Sequence, residues 1–309
     1  MALQEKHKTP VQLDCGGKGL VLHRPHIMGI LNLTPDSFSD GGVFIGPDAA
    51  VGRAMAMVEQ GADIIDVGGE STRPGAVPVS VDEELDRVMP VLEALCRELP
   101  VPVSIDTSKA AVMTAAAAAG AGLINDVLAL RGDGALEAAR DSGLPVCLMH
   151  MQGSPRTMQQ NPVYHDVIGE VKAFLGERVA ACAGAGIPRH RLLLDPGFGF
   201  GKTRVNNYQL LNQLDSIVSM GLPVLVGMSR KGMLSKVADQ PANLRVNASI
   251  AAAVLAAARG ALVIRVHDVA ATAEALVVVN AMLDARVAAA GAGPKQGGKT
   301  PKDTTSRNG

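Results

Sequence analysis

Residues 102–126, PVSIDTSKAAVMTAAAAAGAGLIND, hold the pattern that decides the fold. A short apolar run at 102–106 ends on Asp106, and Ala110 to Ala119 has the composition and spacing of a helix. Gly120 interrupts that helix, and a second apolar run at 122–126 ends on Asn125 and Asp126. Short continuous apolar runs read as strands buried on both faces. With a helix between them they make a β-α-β unit whose strands are parallel. The unit repeats in both directions. Runs of the same kind occur at 27–31 (IMGIL), 63–67 (DIIDV), 145–149 (PVCLM), 191–195 (RLLLD), 223–227 (PVLVG) and 262–266 (LVIRV), which makes eight. Ala49–Gln60, Glu83–Leu99, Val163–Ala183 and Ala248–Arg259 read as further helices. Gly61, Gly143, Gly186, Gly221 and Gly260 join Gly120 as stops just before a strand, where a left-handed cap residue is wanted.

Eight β/α repeats in one chain fit a closed (β/α)8 TIM barrel, an α/β fold, better than an open doubly wound sheet with a Gly-rich first turn. Neither G-x-G-x-x-G nor G-x-x-x-x-G-K-[ST] is present. CGGKGLVLHR at 15–24 precedes the first strand and reads as a short hairpin closing the barrel bottom. From Gly291 the chain is almost without apolar residues. The expected division is therefore a flexible N-terminus at 1–12, one barrel at 13–287 and a disordered tail at 288–309.

Composition narrows the function. Hydrophobic residues are 47% of the 309 and charged residues 19%, a globular balance, while aromatics are only 2%, too few for a reader of stacked bases. A net charge of -1 provides no broad basic field for a nucleic-acid backbone. Cys15, Cys96, Cys147 and Cys182 are far apart, form no CxxC pair and read as reduced core thiols. With no apolar leader and no run of membrane-spanning length, a soluble cytoplasmic protein is expected.

In such barrels the reacting groups sit where strands end. Here those positions are Asn32, Asp66, Asp106, Asn125 with Asp126, His150, Asp195, Ser229 with Arg230 and Lys231, and Arg265 with His267 and Asp268. For Asp66, Asp126 and Asp268 a helix cap explains the residue as well as a function does. Eight polar ends on one face exceed what capping requires. Arg73, Arg230, Lys231, Arg265 and His267 supply positive charge, and Asn32 a hard oxygen ligand, which suits a phosphorylated substrate with Mg²⁺. Asp106, Asp195 and Asn125 suit a flat heterocycle with adjacent ring N–H and amino groups. The site reads as two-ended, one end for a ring and the other for an anion. Loops 32–42 (NLTPDSFSDGG) and 68–77 (GGESTRPGAV) read as lids, with Phe38, Asp40, Thr72 and Arg73 as their working residues. The glycines of DPGFGFGK (195–202) let the backbone pass close to a flat ligand, with Phe200 as a wall. His150 reads as structural, and Met149, Met151 and Met228 as either core or pocket lining.

MGILNLTPDSFSDGG (28–42), GADIIDVGGESTRPGA (61–76), SIDTSK (104–109), LINDV (123–127), MHMQGSP (149–155), LDPGFGFGK (194–202), GMSRKGML (227–234) and RVHDVAAT (265–272) occur in order, one per strand end. Together they resemble the dihydropteroate synthases of the bacterial folate pathway, in the pterin-binding family, from about Leu13 to Ala285. The resemblance implies an alkyl transferase. It would condense 7,8-dihydropterin-6-ylmethyl pyrophosphate with p-aminobenzoate, with Mg²⁺, in a homodimer that sulfonamides target. It assigns the pterin to Asp106, Asn125, Asp195 and Lys231, and Mg²⁺ to Asn32. It assigns the pyrophosphate to Arg265, His267, Thr72 and Arg73. Ser229, Lys231, Phe200 and Pro74 would border p-aminobenzoate beneath Phe38 and Asp40, with Met149 in the substrate pocket. Asp40, Lys231, Arg265 and His267 carry the expected catalysis, by departure of pyrophosphate before the arylamine attacks. Asn206–Asn207 and Asn247–Ala248–Ser249 depart from the family pattern, which often has His-Asn and Gly-Ser there, and put local loop packing in question. A corrinoid methyltransferase on the same barrel has no use for the pyrophosphate cluster, and a non-catalytic paralogue has no use for two whole lids.

Overall fold

The computed structural model describes residues 10–34, 46–72, 75–154, 157–238, 241 and 244–291. Phe38, Asp40, Arg73 and Pro74 lie outside them. Strands β1 (Val11–Cys15) and β2 (Lys18–Leu22) pair antiparallel around Gly16 and Gly17, whose φ of 65° and 85° make the tight turn that such a two-residue hairpin wants. The hairpin thus begins before Cys15, and Cys15 closes its first strand.

Eight parallel strands follow: β3 (His26–Asn32), β4 (Ile64–Gly68), β5 (Val103–Asp106), β6 (Leu123–Asp126), β7 (Val146–Met149), β8 (Leu192–Asp195), β9 (Leu225–Val226) and β10 (Val263–Val266). Their order is β8-β7-β6-β5-β4-β3-β10-β9. A parallel bridge from Leu194 to Val224 joins the two ends, so the sheet closes. Helices cover the outside: α1 (Pro47–Glu59), α2 (Val81–Glu98), α3 (Ala110–Ala118), α4 (Ala135–Ser142), α5 (Val167–Gly184), α6 (Arg204–Asn212), α7 (Leu214–Val218), α8 (Gly232–Ala238), α9 (Val246–Ala258) and α10 (Val269–Gly291). The expected (β/α)8 barrel is what the chain builds. The six glycine stops have φ between 72° and 103°, the left-handed geometry expected of them. Helix α5 starts at Val167 rather than at 163, because the Asp166 side chain accepts from Ile168 N and caps it. With β1 starting at Val11 and α10 ending at Gly291, the folded unit runs past the expected 13–287 at both ends. Among the described residues, no helix is long and apolar enough to cross a membrane. The four cysteines are free, three of them buried, as expected of reduced core thiols.

Alternation along the strands separates two cores. Outward residues such as Ile65, Ile105, Ile124 and Leu194 pack against the helices. Inward residues Met28, Ile64, Leu123, Cys147, Leu193, Leu225 and Val263 form one apolar layer with Leu13, Cys15, Leu20 and Leu22 of the hairpin, which plugs the barrel bottom. Plug and barrel meet most tightly at Gly122, where a Cβ would lie 2.7 Å from the Cys15 carbonyl oxygen. We predict that G122A loses about 1–3 kcal/mol in urea unfolding by overpacking this seam; unchanged stability would mean that the hairpin is a loose appendage.

Candidate active site

Side chains on a strand return to the same face every second residue. Two positions above the apolar inner layer, toward the carboxyl ends, the strands carry Ile30, Asp66, Asn125, Met149, Asp195, Gly227 and Arg265. Strand β5 contributes Ser104 and then Asp106. This upper layer is the site. Arg265 Nε donates to Asp66 Oδ2 at 2.6 Å, and its Nη2 donates to Asp106 Oδ2 at 2.7 Å. Asn125 Nδ2 donates to the same Asp66 oxygen at 3.2 Å. A carboxylate can only accept from Asn125, so the NH₂ faces Asp66 and the amide oxygen is left for a ligand. Asp66 Oδ1 is buried without a hydrogen-bond partner.

Arg265 was expected in a separate anion-binding end. Its guanidinium instead ties two carboxylates of the ring-reading end together, so the two ends meet at this residue. Burial, with Asp66 close by, pushes the Asp106 carboxyl up to about 7 although Arg265 opposes it. Burial also raises Asp195 against the pull of Lys231. Lys231 is lowered to about 8, chiefly by burial. Its ammonium donates to the Phe198 carbonyl at 2.6 Å and lies 4.4 Å from the centre of the Phe200 ring. Gly227 lies between the two cations, where a Cβ would stand 3.8 Å from both Lys231 Nζ and Arg265 Cβ, at ordinary contact distance. Phe200 and Met149 share a small apolar cluster with Met151, Met158 and Val127, apart from the main core. Met228 belongs to the main core.

On the other side, the Ser229 hydroxyl meets His267 Nδ1 at 3.0 Å and accepts from His267 N at 3.2 Å. Burial, with Arg265 and Arg230 nearby, lowers His267 to about 3, so its imidazole is neutral at pH 7 and becomes a cation only against a bound anion. Thr72 and Asp106 line one cavity of about 230 Å³ beneath the second loop. The loop's root is fastened by Lys109, which pairs with Glu70 at 2.6 Å and with buried Glu84, and by Arg87, which donates to the Gly69 carbonyl at 2.9 Å. Asn32 ends β3 at the rim, half-buried, as a hard oxygen donor. Among the described residues, no three His, Cys, Asp or Glu side chains gather as a metal site. Among the described residues Asn32 offers an oxygen donor of the hard type that Mg²⁺ takes. A larger groove of about 440 Å³ between the starts of α5 and α6 contains none of these residues.

The aspartates that a cap explained equally well divide three ways. Asp126 accepts from Leu128 N at 2.8 Å, from Leu130 N at 2.7 Å and from Ser108, and so anchors a loop. Asp268 takes the Arg230 guanidinium through two contacts. Asp66 belongs to the ion cluster. Some supporting residues escaped sequence reasoning. Arg230 sits at φ 60°, a strained geometry for a bulky residue. Ser249 Oγ accepts from its N–H at 3.0 Å and Arg245 donates to its carbonyl at 3.1 Å. Ser249 therefore retains a supporting role inside one of the departures from the family pattern. In the other, Asn206 completes a capping box with Thr203 and Asn207 Oδ1 accepts from Gly199 N at 2.7 Å, so both asparagines bind the adjacent loop and helix start.

Residues 28–267 match the family of pterin binding enzymes. The dihydropteroate synthase of Escherichia coli strain K12 is 53% identical over 276 residues, which are 89% of this chain and 98% of that protein. The Yersinia pestis dihydropteroate synthase, solved as a sulfonamide drug complex, has TM-score 0.86 at 53% identity over 88% of this chain and 99% of its own. The Xanthomonas albilineans dihydropteroate synthase in complex with 7,8-dihydropteroate has TM-score 0.81 at 50% identity over 88% of this chain and 98% of its own.

Removing Arg265 leaves two buried carboxylates without their cation. R265M is expected to lose about 3–5 kcal/mol in urea unfolding, and D66N/R265M to regain part of that loss. Equal instability of the single and double variants would show that the ion cluster is not what R265M breaks.

Proposed function

The chain belongs to the dihydropteroate synthases of the pterin-binding enzyme family, and from that premise we propose how its barrel mouth condenses 7,8-dihydropterin-6-ylmethyl pyrophosphate with p-aminobenzoate, giving 7,8-dihydropteroate and pyrophosphate. The observation that carries the residue assignment is the acceptor cluster of Asp66, Asp106, Asn125 and Asp195 around Arg265 and Lys231. Asp195, Asp106 and Asn125 accept from the amino and ring N–H groups of the pterin. Their burial makes unpaired acceptors costly, and a ring that donates in pairs removes that cost. Lys231 closes the other edge of the ring. His267 with Ser229, Arg265, and the loop residues Thr72 and Arg73 hold the pyrophosphate. Phe200, Ser229, Lys231 and Pro74 border p-aminobenzoate, Met149 supplies apolar wall, and Phe38 covers it. Sulfonamides compete for that subsite.

Asn32 would hold Mg²⁺ on the pyrophosphate, and the ion, when bound, supplies positive charge that favours the leaving group. The bond from the methylene to the pyrophosphate oxygen breaks first, and the electron-rich pterin delocalises the resulting cation. We assign the stabilisation of that cation to Asp40, with the buried carboxylates of the mouth adding to the field. The arylamine then attacks through its neutral nitrogen, and the departing proton goes to water. The working state is a cytoplasmic homodimer. Exposed Leu255, Val277 and Val278 on α9 and α10 support a second copy covering that face.

Pyrophosphate release with both substrates and Mg²⁺ tests the assignment. D195A is expected to lose pterin pyrophosphate affinity by at least about tenfold, since a charge-assisted bond to a ligand is removed; unchanged affinity refutes the pterin pose. The pH profile tests the chemistry. The kcat/KM should rise as Asp106 ionises near 7 and fall as Lys231 loses its proton near 8, both being groups of the free enzyme. The kcat should stay level over the same range. A basic limb near 7 in kcat would show that attack needs a protein base.

A further inference from the structure

The loop after β8 is held at every carbonyl from Gly197 to Lys202. Lys202 Nζ donates to Gly197 O at 2.9 Å and Phe200 O at 3.1 Å. Lys231 takes Phe198 O at 2.6 Å and Gln159 takes Gly199 O at 2.7 Å. Tyr164 takes Gly201 O at 2.7 Å and Asn207 takes Lys202 O at 3.3 Å. The path is open only to glycine. Gly197, Gly199 and Gly201 have φ of 70°, 80° and 58°, and a Cβ on Gly197 would fall 1.8 Å from the His150 carbonyl oxygen.

Lys202 is the centre of this arrangement, and the residue is only 3% exposed. Its third contact is His150 Nδ1 at 2.9 Å. Burial and the Lys202 charge hold His150 at about 3, so the ring is neutral, Nδ1 is a lone-pair acceptor and the proton is on Nε2. His150 is itself fixed, edge-on to Phe174 with ring centres 4.9 Å apart. Burial lowers Lys202 to about 7, and in its protonated form the three N–H bonds meet three neutral acceptors, two from the loop and one from the end of the strand beside it.

We propose that Lys202 is a positioning residue for the arylamine subsite: by clamping the Gly197–Phe200 backbone to His150 at the end of β7, it sets the Phe200 ring and the Phe198 carbonyl that holds Lys231. This rests on the synthase reading of the mouth and adds to it a residue that touches neither substrate. Asp195 lies on β8, paired in register with Met149 of β7, and its carboxylate also accepts from Gly197 N at 2.7 Å, so it is held by the sheet and by the loop together. Loss of Lys202 therefore falls unequally on the two substrates. Asp66, Asp106 and Asn125 stay in place on their strands and Asp195 keeps its place in the sheet, while the Phe200 wall and Lys231, which face the arylamine, lose their support.

The test compares wild type, K202M and H150A in the full chain. In K202M the KM for p-aminobenzoate is expected to rise at least tenfold, and the Kd for pterin pyrophosphate to rise by a clearly smaller factor. Amide hydrogen exchange in residues 196–203 should speed up by at least tenfold while the barrel strands keep their rates. H150A, which keeps the lysine and removes one acceptor, should show the same split at two- to fivefold. If K202M lacks a cooperative melt, the H150A split decides. Wild type without turnover refutes the synthase reading itself. Wild type with turnover, and variants that weaken both substrates alike or neither, refutes the role of Lys202 alone.

Discussion

The guanidinium of Arg265 between Asp66 and Asp106 is the contact on which the mouth depends. It joins β10 to β4 and β5, which lie two and three places away in the strand order, so the contact reaches across the curled sheet rather than between neighbouring strands. Its net effect on stability is small by simple electrostatics. A pair at about 4 Å gains about 4 kcal/mol at an effective dielectric of 20, while burying each ion costs several kcal/mol. Its value is geometric. One cation with planar, forked donors holds two carboxylates at a fixed spacing through one oxygen of each. A lysine in its place has no such fork.

The charge of that cluster follows from the same contacts. Asp66, Asp106 and Asp195 face Arg265 and Lys231, so with every group ionised the mouth carries one negative charge in excess. A site of that sign with little water disfavours an anion and favours a ligand that gains positive charge during reaction. On the proposed reading the pyrophosphate reaches from Arg265 out to the rim at Ser229 and His267, where Arg230 is already occupied by Asp268 and burial keeps His267 neutral. Leaving-group binding at the rim and charge development at the floor are consistent with one another.

Much of this was legible because strands repeat every second residue. An apolar residue facing the plug predicts that the residue two places on faces the mouth, and Asp66, Asn125, Asp195 and Arg265 obey that rule, while Asp106 follows the buried polar Ser104. What could not be read was partnership. Arg265 is 199 residues from Asp66 and 159 from Asp106, and no local pattern distinguishes the cation that meets a carboxylate from the one that meets a phosphate. Short helices were missed for a related reason. Helix α4 spans eight residues between left-handed Gly134 and Gly143 with no side-chain cap, so it has too few turns to show a period. Ser249 was noticed only as part of a departure, because its value lies in holding a strained backbone 19 residues away.

The two lysines that hold the β8 loop show how one residue type is given two tasks by its acceptors. Lys231 has one carbonyl, an aromatic face and the field of Asp195, which leaves N–H bonds for a ligand, and it is lowered to about 8. Lys202 has all three N–H bonds met by neutral acceptors, sits deeper and is lowered further, to about 7. A group whose donors are all satisfied gains nothing by turning toward a substrate, so it holds backbone. A group left partly unsatisfied gains from any acceptor that enters. The sequence D-P-G-F-G-F-G-K puts the first kind of lysine in the loop itself, and the turn after β9 supplies the second. The glycines between them let the carbonyls face inward to meet both.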